Sequence, residues 1–310
     1  MILVCGAGAI GSFIAYSLKK SDKEVELISR GKRLEEIKKH GLKVKNRITG
    51  KTDCVKIDTY EKYDLSKAYD FIFVVVPNDK VHSVIDDIPQ EMDFKNIVFI
   101  GNNVQPELTE KKFKNKFGNN KKVMFGFINI MASIKGETDL YFSSYKAGMH
   151  ITDMGNNESI KEIFNSTSIK TVFEKDMTVF LKTHGAFVLP LSYLCYAFKG
   201  KLKNISADRN IMDELVMSME EGFDILERNG FKINPKIYKT VVQKYKFLLK
   251  IFGKIIFNTS LGDIMITEHS KRCMNEILYM DNVFGKMIDN SGHKFEFWDK
   301  IRNMWDRKNG

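Results

Sequence analysis

Met1-Ile-Leu-Val-Cys-Gly-Ala-Gly-Ala-Ile-Gly11 decides the fold, because an apolar strand runs directly into Gly6, Gly8 and Gly11 in the order G-x-G-x-x-G. In a dinucleotide-binding turn these glycines do different jobs. Gly6 permits the tight strand-to-helix turn, Gly8 lets the backbone approach a pyrophosphate, and Gly11 lets the following helix pack close to the sheet. Ala9 and Ile10 lie in the same turn, where the unpaired N–H groups and dipole of a helix N-terminus favour an anion. The neighbourhood supports this reading. The spacing of Phe13, Ile14 and Leu18 predicts a helix over 12–20, and the apolar run after it predicts a second strand over 24–28, completing a βαβ unit.

The tip of that second strand selects the cofactor. An acidic residue there would bind the ribose 2′-hydroxyl of NAD, whereas a cation accommodates the 2′-phosphate of NADP. The chain has Ser29-Arg30-Gly31-Lys32-Arg33, with no carboxylate, and Arg30 offers a planar fork suited to phosphate oxygens. NADP(H) is the expected cofactor. Lys32 and Arg33 either add charge there or begin a solvated helix and point at water.

Composition sets the outer limits. With 310 residues, 43% hydrophobic and 28% charged, the chain is long enough for one large domain or two ordinary ones, with a real core. No apolar run reaches the length of a membrane helix, and the apolar N-terminus reads as a glycine-punctuated strand rather than a leader; no membrane association and a cytoplasmic location are expected. Cys5, Cys54, Cys195 and Cys273 form no C-x-x-C pair, so neither a metal site nor a disulfide framework is expected. The net charge of +10 comes from lysines scattered along the chain, which argues against nucleic acid and for attraction of an anionic cofactor and substrate.

Further along, Tyr69 to Val76 is a continuous apolar run, as in a parallel strand buried on both faces, and 97–100 and 122–131 read as further strands. Ligands in such sheets bind beyond the carboxyl ends of the strands, which makes Pro77-Asn78 and Asn102-Asn103 candidate lining residues. The alternating stretch 141–153 predicts antiparallel strands that extend the sheet. Helical spacing then takes over at 180–198, 208–229, 235–251 and 270–291. The expected architecture is an α/β Rossmann-type dinucleotide-binding domain over 1–172, followed by an all-α domain over 173–310. The aromatic side chains Phe247, Phe252 and Phe257 imply core packing or a dimer face, and the tail 295–310 a docked amphipathic helix.

The glycine turn, Arg30, Asn102, Lys182 opening the helix Phe180-Leu-Lys-Thr-His-Gly-Ala-Phe-Val-Leu-Pro190, and the late segment Asn275-Glu-Ile-Leu-Tyr-Met-Asp-Asn282 together resemble the ketopantoate reductase family. The resemblance implies a Rossmann domain joined to a helical domain, NADPH as hydride donor, a 2-keto acid as substrate and a homodimer. It implies Lys182 as general acid, Glu276 as a substrate ligand, Asn102 near the nicotinamide and the reacting carbonyl, and Ser260 at the substrate carboxylate, although about four extra residues separate Ser260 from Glu276. An ammonium beside the carbonyl makes chemical sense, since hydride arrival creates an alkoxide to be stabilised and protonated.

The residues also admit plainer readings. Lys182 would be a snorkelling lysine, Glu276 a solvent-facing carboxylate, and Asn102 a cap on the next turn. The chain departs from the family pattern where asparagines one and two turns after the lysine are replaced by Ala186 and by Leu189 or Pro190. Pro77 stands in place of a further lysine, with Lys80 close by. His184 lies about 200° around the helix from Lys182 and is either a proton relay, a cofactor-side contact or a core histidine. The losses of polar contact point to a more apolar substrate. They also leave open another oxo acid, an imine, or a non-catalytic NADPH sensor.

Overall fold

The structure, a computed structural model, describes residues 1–136, 138–142, 147–259, 262–267, 270 and 273–309. It divides into two compact units, Met1–Met177 and Thr178–Gly310.

The first unit begins with β1 (Ile2–Cys5), α1 (Ala9–Lys19), β2 (Val25–Ile28) and α2 (Gly31–His40). A small excursion, β3 (Leu42–Asn46), β4 (Thr52–Val55) and β5 (Asp58–Tyr60), precedes β6 (Ala68–Val74), α3 (Asn78–Asp87), β7 (Asp93–Ile100), α4 (Pro106–Phe117) and β8 (Lys122–Asn129). The unit closes with β9 (Met131–Lys135), β10 (Thr138–Phe142), β11 (Ala147–Thr152), α5 (Glu158–Phe164) and β12 (Ile169–Glu174). Eight strands form the main sheet in the order β12-β11-β8-β7-β6-β1-β2-β5. All neighbours run parallel except β11 against β8. Buried strands without alternation follow from cover on both faces: Leu3, Val4, Ile72, Phe73, Ile97 and Val98 are all inaccessible or nearly so. The chain order reverses at β1, which is flanked by β2 and β6, so the glycine turn after β1 stands at the topological switch point.

One expectation for this unit changes. The stretch 141–153 does not simply extend the main sheet: β11 does so, but β10 pairs with β9 and β3 in a separate four-stranded sheet, β4-β3-β10-β9. The hairpin of β9 and β10 leaves the main sheet after Ile130 and packs beside α1. The hairpin of β3 and β4 lacks a strong apolar signature; its turn is fixed by Asn46 Oδ1, which accepts the N–H groups of Ile48 and Thr49.

The second unit is helical: α6 (Met177–Ala197), α7 (Leu202–Ala207), α8 (Arg209–Arg228), α9 (Lys236–Lys244), α10 (Lys246–Phe257), α11 (Met274–Ser291) and α12 (Glu296–Asn309), with a π-helical turn at Asp263–Thr267. Asp208 caps α8 by accepting the N–H groups of Asn210 and Ile211, a saturated start for a long helix. The helix expected over 235–251 breaks at Tyr245, whose φ of −118° and ψ of 33° are not helical, and α10 continues to Phe257. The tail does dock as an amphipathic helix. Trp298 and Ile301 of α12 are fully buried, and Trp298 stacks on Phe284 at 5.4 Å. Tyr193 of α6 donates to Asp281 of α11 at 2.6 Å, and Arg302 grips the same carboxylate through two nitrogens. No described helix is long and apolar enough to cross a membrane.

Candidate active site

In the first unit the three glycines separate by environment. Gly6 has φ +115°, and a Cβ there would lie 2.3 Å from the Val75 carbonyl oxygen, while one on Gly11 would lie 1.9 Å from the oxygen of Gly6. Both positions are closed to any side chain. A Cβ on Gly8 would meet nothing within 4 Å, so the open side of the turn is at the residue that caps α1. Gly8 offers no side-chain acceptor to the first N–H groups of α1, and the first turn carries no acidic residue. That is an anion-receptive helix start. Ala9 and Ile10 are half-buried beside it.

The cations at the second strand tip are arranged differently from the sequence expectation. Arg30 is 64% exposed and pairs with Asp87 of α3 at 2.9 Å, a carboxylate supplied by the fold rather than by the strand tip itself. This hydrogen bond holds the guanidinium pKa above its ordinary value. Arg33 does not point at water. Its Nε donates to the Ala7 carbonyl at 3.4 Å and its Nη2 to Ser12 Oγ at 3.3 Å, which lays the guanidinium against the glycine turn. Lys32 alone behaves as a solvated residue, pairing loosely with Glu36. At the end of β1, burial pushes the Cys5 thiol up to about 12, which leaves it protonated and inert.

At the tip of β7 the two asparagines have separate roles. Asn103 Nδ2 donates to Thr109 Oγ1 at 2.9 Å, and its Oδ1 accepts the N–H of Gln105 at 3.1 Å, so Asn103 builds the turn into α4. Asn102 is 8% exposed, and its buried Oδ1 accepts no hydrogen bond. Buried polar groups are almost always satisfied, so an orphaned amide oxygen beyond a strand's carboxyl end is a place for a ligand donor. Pro77 caps α3, Asn78 is buried, and Lys80 turns to Asp79 at 3.4 Å.

In the second unit Lys182 is 1% exposed on α6, with Nζ 5.0 Å from the centre of the Phe231 ring. It is not a snorkelling lysine, whose head would remain in water. The next residue, Thr183, accepts the N–H of Asn234 on its Oγ1 at 3.1 Å and so ties the loop after α8 to the same turn of α6. Glu276 sits in the first turn of α11 and is 5% exposed, which removes its reading as a solvent-facing carboxylate. Burial holds the Tyr196 phenol above its ordinary pKa, with the charge of Glu276 among the neighbouring contributors, and Tyr196 Oη donates to the Ser270 carbonyl. Ala186 and Leu189 are fully buried. A Cβ on Gly222 of α8 would lie 2.9 Å from the Ala186 oxygen and 3.3 Å from its Cβ, so α6 and α8 cross too closely there for a longer side chain. His184 is half-buried. Ser260 lies outside the described residues.

Sequence reasoning passed over Asp87 and Phe231. Neither has a local signal: Asp87 reads as an ordinary acidic residue at the end of a helix, and Phe231 as one more apolar residue after Gly230.

The same fold occurs in solved structures. A ternary complex of D-mandelate dehydrogenase with NADH and anilino(oxo)acetate superposes with a TM-score of 0.73 at 15% identity, covering 99% of this chain and 98% of that one. A PanE/ApbA family ketopantoate reductase from Ralstonia eutropha JMP134 gives 0.72 at 13% identity, with all of both chains covered. The dimeric ketopantoate reductase from Staphylococcus aureus gives 0.70 at 15% identity, covering 99% and 97%. At such identities the likeness is one of fold. No curated protein matches the chain. A family model, ketopantoate reductase PanE/ApbA, matches residues 2–159, just over half of the sequence and the whole span from β1 into α5; the chain belongs to the ketopantoate reductase family.

Proposed function

We propose that this protein is an NADPH-dependent reductase that converts a 2-keto acid to a 2-hydroxy acid, of the ketopantoate-to-pantoate type. The observation that carries the reading is the burial of the Lys182 amine. Withdrawing such a group from water is expensive, and proteins accept that expense where charge develops during a reaction. The glycine turn fits a dinucleotide through the open space at Gly8, the acid-free start of α1 and the orphaned Oδ1 of Asn102. The NADH complex of D-mandelate dehydrogenase supports a nicotinamide dinucleotide in this fold.

The chain's own residues divide the work. Backbone N–H groups of Gly6, Gly8, Ala9, Ile10 and Gly11 would hold the pyrophosphate, Arg30 the 2′-phosphate, and Asn102 a donor near the nicotinamide. The bound cofactor supplies a hydride. As negative charge grows on the substrate's carbonyl oxygen, Lys182 Nζ stabilises it and delivers a proton there. Glu276 accepts a hydrogen bond from a substrate hydroxyl, and Ser260 meets the substrate carboxylate. The first unit is thus the cofactor domain and the second the substrate domain. The working unit is a homodimer, as in the S. aureus relative.

Within this class, a 2-keto acid with an apolar side chain is favoured over ketopantoate, because Ala186 and Leu189 stand where the family pattern has asparagines and supply no polar group. Oxidation of NADPH, followed by absorbance with ketopantoate and a panel of branched and aromatic 2-keto acids, tests the proposal. Turnover that collapses in Lys182→Ala is expected. Tight NADPH binding with no turnover of any oxo acid or imine would replace it with a sensor.

A further inference from the structure

Arg33 occupies the third position of α2, in a first turn that also holds Lys32 and has no acidic residue. The helix gains little from a cation there. Its N-terminus is the positive end of the dipole, and the third position is where a carboxylate would serve as part of a cap. Nor does the side chain lie in water, since it is 16% exposed. Glu36 of the same helix stands 3.7 Å from Nη1, and the other two nitrogens leave α2 for the glycine turn. Their contacts close a triangle. The fully buried Ser12 Oγ donates to the Ala7 carbonyl at 3.1 Å, Arg33 Nε donates to the same oxygen at 3.4 Å, and Nη2 donates to Ser12 Oγ at 3.3 Å. A hydroxyl that receives a charged donor is itself a stronger donor, so the two residues grip one carbonyl together.

A trans peptide sets its C=O and N–H in opposite directions, so fixing the Ala7 oxygen toward Arg33 and Ser12 aims the Gly8 N–H away from them. That N–H belongs to the residue that caps α1, ahead of the first intrahelical bond, from the Ser12 N–H to the Gly8 oxygen at 2.8 Å. Behind the turn the guanidinium adds a full positive charge to the partial charge of the helix start. We propose that Arg33 is a positioning residue for the diphosphate of the cofactor: acting with Ser12, it orients the Ala7–Gly8 peptide and raises the positive potential at the start of α1. This rests on the reading of the turn as a dinucleotide site and assigns Arg33 to the part that NADPH and NADH share. The contacts choose that part over the 2′-phosphate. They are made to Ala7 and Ser12, within the turn and the helix start, whereas Arg30 stands 64% exposed at the strand tip. Hydrogen bonds of 3.3 and 3.4 Å are long, so the grip directs the turn more than it stabilises the fold.

The test is calorimetric titration of NADPH, NADH and ADP into the full chain, each at low and at high salt. Arg33→Met keeps the length of the side chain and removes its charge and donors. Affinity for all three nucleotides is expected to fall by about tenfold, with the NADPH-to-NADH ratio held within about twofold and the melting temperature nearly unchanged. Wild-type affinity should decline with salt more steeply than that of the variant. Arg33→Lys restores a cation without the planar fork and is expected to recover part of the loss for all three, a comparison that stands even if Arg33→Met does not fold. A lower melting temperature with wild-type affinities would make Arg33 structural only and overturn the inference. So would a loss confined to NADPH, which would assign the residue to the 2′-phosphate. A wild type that binds none of the three would instead overturn the cofactor reading on which the inference rests.

Discussion

The ammonium of Lys182 stands over the face of Phe231, 5.0 Å from the ring centre, and Thr183 fixes the loop carrying that ring by accepting the Asn234 N–H. An aromatic face compensates part of the desolvation of a buried cation, by about 0.5–2 kcal/mol. Phe231 is therefore a positioning residue for the proposed acid. Phe231→Leu keeps apolar bulk but removes the ring, and a fall in kcat of roughly three- to thirty-fold is expected with KM for the cofactor unchanged. Phe231→Tyr should restore it. Steady-state kinetics alongside the melting temperature decide the matter: a lower Tm with unaltered kcat would make the ring structural only.

Arg30 meets Asp87 at the place where a 2′-phosphate would be read. Both groups are substantially exposed, so their pairing is weak and a dianion can compete for Arg30. Asp87→Asn is expected to raise kcat/KM for NADPH relative to NADH by roughly two- to five-fold, the size an exposed ion pair allows. Arg30→Ala should lower the same ratio. If Arg30→Ala leaves it unchanged while Arg33→Ala lowers it, the phosphate belongs to Arg33, which lies against Ala7 and Ser12.

Asn102 and Asn103 are neighbours with opposite expected phenotypes. Asn103→Ala strands Thr109 Oγ1 and the Gln105 N–H, and a loss of about 1–3 kcal/mol of stability is expected. Asn102→Ala removes an oxygen that has no partner and should leave the melting temperature nearly unchanged while weakening cofactor or substrate binding. Thermal unfolding paired with an NADPH titration separates the two.

These pairs also mark how far the sequence was legible. The glycine spacing and the unbroken apolar runs of β1 and β6 define the Rossmann unit, because a doubly covered parallel strand has few other ways to be written. The alternation in 141–153 suits either sheet, and only the departure of the chain at Ile130 assigns β10 to the small one. Helical spacing runs straight through Tyr245, so neither the break there nor the pairing of Lys246 and Lys250 with Glu220 and Asp213 of α8 could be read from local pattern. For the candidate site, Lys182 and Glu276 rested on family resemblance, and it is burial that removes their solvent-facing readings. The Arg30–Asp87 pair joins residues 57 positions apart, beyond the reach of any local pattern.

Glu221 gives a pH test of the helical unit. Burial holds its carboxyl above the usual value, against the opposing hydrogen bonds from the Trp298 and Phe297 N–H groups at the start of α12. With the folded pKa raised, the unfolded chain ionises first as pH rises. Stability is lost from the ordinary glutamate value of about 4.3 up through the folded pKa. Glu221→Gln still accepts a hydrogen bond and carries no charge. Its melting temperature should exceed that of the wild type at pH 7, and the difference should vanish below about pH 4, where both side chains are neutral.

Gly8 and Gly11 share a motif and should fail in different ways. A methyl group at Gly11 would overlap the Gly6 carbonyl oxygen at 1.9 Å, with the Gly6 carbonyl carbon at 3.1 Å and Val75 Cβ at 3.4 Å beside it and nothing flexible to yield. Gly11→Ala is expected to fold poorly, through overpacking that costs about 1–3 kcal/mol or more. At Gly8 the methyl has open space on every side and the backbone is extended, with φ −67° and ψ 179°, so Gly8→Ala should fold with a wild-type melting temperature. The space it fills is the approach to the first N–H groups of α1, and NADPH affinity should fall at least tenfold, equivalent to about 1.4 kcal/mol. Calorimetric titration of NADPH into each folded variant measures this, and unchanged affinity in Gly8→Ala would mean that no pyrophosphate rests on that turn.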